Sequence, residues 1–198
     1  MTTRRNILIG GTVGAGALLV PRRAVAAPNT SQVPPVQMID CGASQAANVQ
    51  AMFPNAPFVL AGPVWKQAQL SLWPNAVIVR LAHFATDTTS RVLDIENGYA
   101  QPGDAPGWAG QLSAGGVEPK LYCSHTKLPA VLQAMTAYTG TLPWWLILAE
   151  QNGTPHDAQP VVVNGRNVLA GTQWYGVGNA PGSPYDITQI CNLRAVLA

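Results

Sequence analysis

From residue 36 onward the chain repeats one pattern: a short apolar run, then a polar or turn-forming break. Strands are expected at 36–40 (VQMID), 58–61 (FVLA), 76–82 (AVIVRLA), 91–95 (RVLDI), 120–123 (KLYC), 144–149 (WWLILA), 168–174 and 186–190. Two segments carry helical spacing instead. Residues 105–115 have Pro106 in the first turn and Gly115-Gly116 as a stop, and 129–138 places Val131, Leu132 and Met135 on one face. Strands that are apolar on both faces and alternate with loops or helices belong to a parallel sheet covered on both sides. The expected class is therefore α/β. A full eight-unit barrel takes about 250 residues. The shorter length here predicts a reduced or partly open parallel (β/α) barrel, TIM-barrel-like in plan.

The first 27 residues read differently. Arg4 and Arg5 precede an apolar run at 7–20, and small residues follow at 24–27. This is the layout of a secretory signal peptide. The TRRNIL string and the Arg22-Arg23 pair resemble a twin-arginine signal. The alternative is an uncleaved anchor. The run is shorter than the roughly 20 residues that span a bilayer, so no stable membrane span is expected once the signal is removed. Residues 28–36, with three prolines, read as a linker, leaving 37–198 as the barrel domain.

Composition then narrows the function. Of 198 residues, 47% are hydrophobic and only 10% charged, and six tryptophans exclude a disordered chain. Loss of the four leader arginines leaves seven basic residues against nine acids, a net charge of −2. Without a basic stripe, nucleic acid is not an expected partner. The three histidines are scattered, and Cys41, Cys123 and Cys191 match no zinc spacing, so no metal and no cofactor are expected. Two states are open for the cysteines: a Cys41–Cys191 bridge across the seam of the barrel with Cys123 left over, or three separate thiols.

The few acids are placed informatively. Asp40, Asp94 and Glu96 all fall at the C-terminal ends of expected strands, the edge that carries the active site in parallel barrels. Asp94 and Glu96, two apart, project to one face about 6.6 Å from each other. Such a pair repels, which separates one proton donor from one carboxylate. That is the equipment for glycoside cleavage. The alternative is a pair of loop acids matched to Arg80 or Arg91.

The strings VLDIE at 92–96, APGW at 105–108 and KLYCS at 120–124 resemble the glycoside hydrolase family 25 (lysozyme-like) barrels. The likeness is nearest to the short branch seen in actinobacterial secreted proteins and mycobacterial phage lysins. AGTQWY at 170–175, YDI at 185–187 and the opening MID at 38–40 are similar to that family's last and first strands. The resemblance implies Glu96 as general acid. It implies Asp94, Asp40 and Asp186 as carboxylates that stabilise developing positive charge, hold a water or orient the donor. Gln173 and Trp174 fall on a substrate-side strand. Tyr99, three residues past Glu96, and His83, after the third strand, are further candidates for substrate contact. The core is the expected place for Trp65, Trp108 and Trp145.

Two functions follow from this reading. One is a secreted or wall-associated monomeric glycosidase that cleaves peptidoglycan, or another cell-wall glycan, after N-acetylmuramic acid. The other is a non-catalytic exported carbohydrate- or wall-binding protein on the same scaffold. For the glycosidase, the four carboxylates must converge on one cleft, with Glu96 less solvated than Asp94.

Overall fold

The computed structural model describes residues 36–150, 159–175 and 185–197. The leader, the linker to residue 35, and His156 and Asp157 lie outside the described residues. In chain order the strands are β1 (Val36–Cys41), β2 (Phe58–Ala61), β3 (Val77–Ala82), β4 (Val92–Ile95), β5 (Lys120–Ser124), β6 (Trp145–Ala149), β7 (Val162–Val163), β8 (Arg166–Asn167), β9 (Leu169–Tyr175) and β10 (Tyr185–Ile190). Eight of them close a barrel in the order β1-β10-β9-β6-β5-β4-β3-β2. Each expected strand is present to within a residue or so at either end. Val36, assigned above to the linker, is the first residue of β1.

Two expectations need correction. The barrel is closed rather than partly open, and it is mixed rather than all parallel. Neighbours from β1 through β6 to β9 run parallel. β10 runs antiparallel to both β9 and β1. Apolar character sets that a run is a buried strand but carries no direction, so the reversal is invisible in composition.

Length is saved on helices instead of strands. The helices are α1 (Ala46–Met52), α2 (Gln67–Leu70), α3 (Ala105–Ala114), α4 (Leu128–Ala134) and α5 (Leu193–Leu197). Between β3 and β4 there is none. There Asp87 organises a turn instead, with Oδ1 accepting from the Thr89 and Ser90 amides and Oδ2 from the Ser90 hydroxyl. Its carbonyl accepts the buried Trp108 indole at 2.7 Å. A small hairpin pairs β7 with β8 through Asn164-Gly165, both at positive φ, as a two-residue turn of that handedness requires.

Alternation along each strand divides the side chains between two layers. Met38, Leu60, Val79, Val92, Tyr122, Trp145 and Ile147 fill the barrel interior. Outside β4–β6, Leu93, Leu121, Cys123 and Leu148 pack with Trp108 and Leu112 of α3 and Val131 of α4. Outside β1 and β2, Ile39 and Val59 pack with Val49 of α1, Trp65, Trp73 and Trp174. Fully burying one such side chain stabilises by about 1.5–3 kcal/mol, so these layers hold the barrel shut.

The cysteines are three free thiols, and the bridge does not form. Cys41 is paired with Tyr185, whereas Cys191 follows Ile190, the partner of Val36. At about 3.4 Å per residue the two lie roughly 20 Å apart along the strands, far beyond the ~7 Å that a disulfide can span. The reversed direction of β10 is the cause.

Candidate active site

The mouth of the barrel is built from strand ends. Asp40 is the penultimate residue of β1, Asp94 stands one residue inside the end of β4, and Glu96 lies just past it. Because β10 is reversed, its beginning reaches the same rim, which brings in Asp186. A parallel β10 would have placed Ile190 there. Asp40 and Asp186 sit directly opposite one another across the β1–β10 seam, at a register where Cβ atoms stand roughly 5 Å apart.

All four acids line one cavity of about 330 Å³, together with His83, Tyr99, Trp65 and Tyr185. Their pKa values are displaced together. Burial, then the charge of Asp186, pushes Asp40 up to about 7. Burial, then Glu96 and Asp40, pushes Asp94 up to about 8. Burial and Glu96 push Asp186 up to about 6. Glu96 is also raised by burial, but a hydrogen bond with Tyr122 draws it back. These displacements favour the protonated forms within the cluster, most strongly at Asp94. Perturbed acids gathered in a cleft are candidates for a functional site.

The solvation order reverses the expectation. Asp94 is 3% exposed, whereas Glu96 keeps more contact with solvent. Asp94 belongs to the strand and points into the barrel; Glu96 has left the ladder.

A hydrogen-bond network ties the acids to the interior. The amide nitrogen of Gln173 donates to Asp40 Oδ2 at 3.1 Å, and the Tyr122 hydroxyl donates to Gln173 Oε1. Tyr122 stands beside Asp94 in register and also reaches Glu96. Its single proton serves one acceptor at a time, so the two bonds are alternatives. Tyr122 was not among the residues singled out above. The available signal was its place in an apolar strand, two residues before the strand's polar end.

His83 and Tyr99 meet at the rim, their rings stacked with centroids 3.8 Å apart. His83 Nε2 lies 3.9 Å from Asp94 Oδ2, too far for a hydrogen bond. Burial lowers the His83 pKa, so histidine and acid face each other uncharged at neutral pH. Gln173 points inward to the acids, but Trp174, the next residue, is packed in the outer apolar layer and is not among the residues lining the cavity. Trp108 and Trp145 are core residues as expected, whereas Trp65, buried, contributes to the cavity wall.

Two acids away from the mouth have structural tasks. Asp104 accepts the Gln101 amide, and Glu118 accepts the Trp145 indole at 2.5 Å at the opposite end of the barrel. Among the described residues no cluster of three or more His, Cys, Asp or Glu is arranged to hold a metal ion. None of their helices is long and apolar enough to cross a membrane. No protein-family model, curated protein or solved structure matches the chain.

Proposed function

We propose that this protein is an exported glycoside hydrolase of the muramidase type, acting on cell-wall peptidoglycan with a lysozyme-like (β/α)-barrel plan. The observation that carries the reading is the convergence of Asp40, Asp94, Glu96 and Asp186 on one cavity with no cation among the described lining residues to neutralise them. Burying four acids together costs stability, which protonation relieves only in part, and such clusters are suited to proton transfer. Glu96 is the proton donor to the glycosidic oxygen. It stands just past the strand end, partly exposed, and a sugar that displaces water around it raises its pKa further, loading the proton when substrate is bound. Asp40 and Asp186 stabilise the positive charge that develops on the sugar ring or hold the attacking water, and the protonated Asp94 orients the donor. Gln173 and Tyr122 fix Asp40 and Glu96 in place.

The test is release of reducing ends from purified peptidoglycan by the wild-type protein and by Glu96→Gln. Wild-type release that the isosteric amide abolishes is expected; equal activity in the variant sinks the assignment of Glu96. A second reading rests on the reversed solvation order. A carbohydrate binder without turnover needs no proton on Glu96, and Asp94 is the acid that holds one here. It predicts glycan binding that survives Glu96→Gln, with no release of ends by either protein.

A further inference from the structure

The connection between β3 and β4 carries no helix, and a second cavity of about 340 Å³ lies against the turn that replaces one. It is lined by Pro63, Arg80, Leu81, Asp87, Thr89 and Ser90. This cavity adjoins the mouth: Leu81 lines both, and Gly62, the neighbour of Pro63, lines the mouth. The four acids of the mouth are not among its lining residues.

Two opposite charges line this second cavity without pairing. Arg80 is exposed, and its guanidinium has no hydrogen bond or ion pair among the described residues, so it does not serve the strand acids as a counter-charge. Asp87 is clamped. Its Oδ1 accepts from the Thr89 amide at 2.9 Å, the Thr89 hydroxyl at 2.8 Å and the Ser90 amide at 3.2 Å, and its Oδ2 accepts from the Ser90 hydroxyl at 2.7 Å. Burial raises this carboxyl, but the bonds from Ser90 and Thr89 outweigh burial and hold it below its usual value, ionised at neutral pH. A carboxylate has about four acceptor sites, two on each oxygen, so Oδ1 is crowded while Oδ2 keeps room for a further donor. The Trp108 indole, bonded to the Asp87 carbonyl, fixes the turn. One wall of the cavity is thus a rigid anion and another a cation without a partner.

We infer that this cavity is a subsite for the zwitterionic end of a peptide stem, its carboxylate held by Arg80 and its ammonium by Asp87 Oδ2, while the glycan occupies the adjoining mouth. The stem rests on the peptidoglycan reading above; the charge pattern rests on the geometry. A guanidinium offers donors only, in a planar fork that matches a carboxylate. An ammonium offers three donors, which match Oδ2 and the spare lone pairs of the Thr89 and Ser90 hydroxyls. A plain anion meets repulsion from Asp87, and a plain cation meets it from Arg80. A group carrying both charges on neighbouring atoms satisfies the two together. In peptidoglycan that group is the free end of a diamino-dicarboxylic acid in the stem. Val64, 68% exposed, follows Pro63 and lines the mouth, so it offers apolar contact to a stem passing from one cavity to the other.

The test is calorimetric titration of the full-length protein with a muramyl tripeptide ending in meso-diaminopimelate. Three forms are compared: the free zwitterionic end, the same end acetylated at nitrogen, and the same end amidated at its carboxyl. The free form is expected to bind roughly tenfold tighter than either modified form at low salt, an advantage that shrinks as salt screens the charges. Arg80→Gln changes an exposed side chain without a partner, so the fold survives it. That variant should bind the free form no better than the wild type binds the amide, with no further loss on amidation. Acetylating the ligand tests Asp87 without disturbing its turn. Equal binding of the three forms, or a loss on amidation that persists in Arg80→Gln, overturns the inference. An acetylated form that binds as tightly as the free one also overturns it, because the site then reads a carboxylate alone. No turnover is measured. A protein that releases reducing ends yet ignores the charges of the stem loses only this subsite; one that prefers the zwitterion yet releases no ends keeps the subsite and loses the hydrolase reading.

Discussion

Asp94→Asn should stabilise the protein at alkaline pH and change little in acid. The carboxyl is buried, and its pKa rises from 3.8 to about 8 in the folded state, through burial first and then the charges of Glu96 and Asp40. A raised acid favours the folded state only while it is protonated. Its contribution is complete below about pH 4 and is lost as pH climbs to about 8. About 4 pKa units at ~1.4 kcal/mol each give an upper bound near 6 kcal/mol. Neighbouring acids share protons with Asp94 and relax part of this, so about 2–4 kcal/mol is expected. The amide never ionises and escapes the loss. Urea unfolding of both proteins near pH 4.5 and pH 8 reads the difference between the two gaps, which cancels any pH-independent cost of the substitution. A gap that is the same at both pH values, within about 0.5 kcal/mol, would refute the placement of a protonated Asp94 in the barrel.

Tyr122→Phe removes the bond that holds Glu96 down, so the alkaline limb of any pH–activity profile should move to higher pH. The variant should also lose about 1–3 kcal/mol, because Gln173 Oε1 is left buried without its donor; an unmoved limb would deny the link. Gly171→Ala should destabilise by about 1–3 kcal/mol in thermal or urea unfolding, since the added Cβ would lie 2.8 Å from Thr188 Cγ2 and 2.9 Å from the Gln189 carbonyl oxygen. A neutral result would mean that the β9–β10 seam is looser than the register implies.

Strand positions were legible above all at β2, β4 and β6, which are buried throughout, and at β1 and β2, which are bounded by Pro and Gly, so that no helical period competes. Asp40, Asp94 and Glu96 were legible for a related reason: a charge at the end of an apolar strand is exceptional in a chain this poor in charge. Direction was not. Nothing in YDITQI announces that β10 runs backwards, and that one reversal both delivers Asp186 to the mouth and carries Cys191 away from Cys41. Trp174 was misplaced for want of phase. The register shift between Leu146 and Ile147, opposite the start of β9, sets which of Gln173 and Trp174 faces inward, and a bulge leaves little mark in composition. Tyr122 was hidden because a phenol in an apolar strand reads as core until its hydroxyl is seen to reach Gln173. The short helix α1 was missed because AANVQAM buries only Ala46 and Val49 and so lacks a broad apolar face.

The central claim is that the four acids at the mouth hydrolyse a glycosidic bond. Digestion of purified peptidoglycan in ¹⁸O-labelled water, followed by mass spectrometry of the soluble fragments, tests it most directly. The account predicts new reducing ends on N-acetylmuramic acid, each carrying one solvent-derived ¹⁸O, from the wild-type protein and none from Glu96→Gln. Fragments that stay unlabelled, or label that appears equally with the variant, would contradict it.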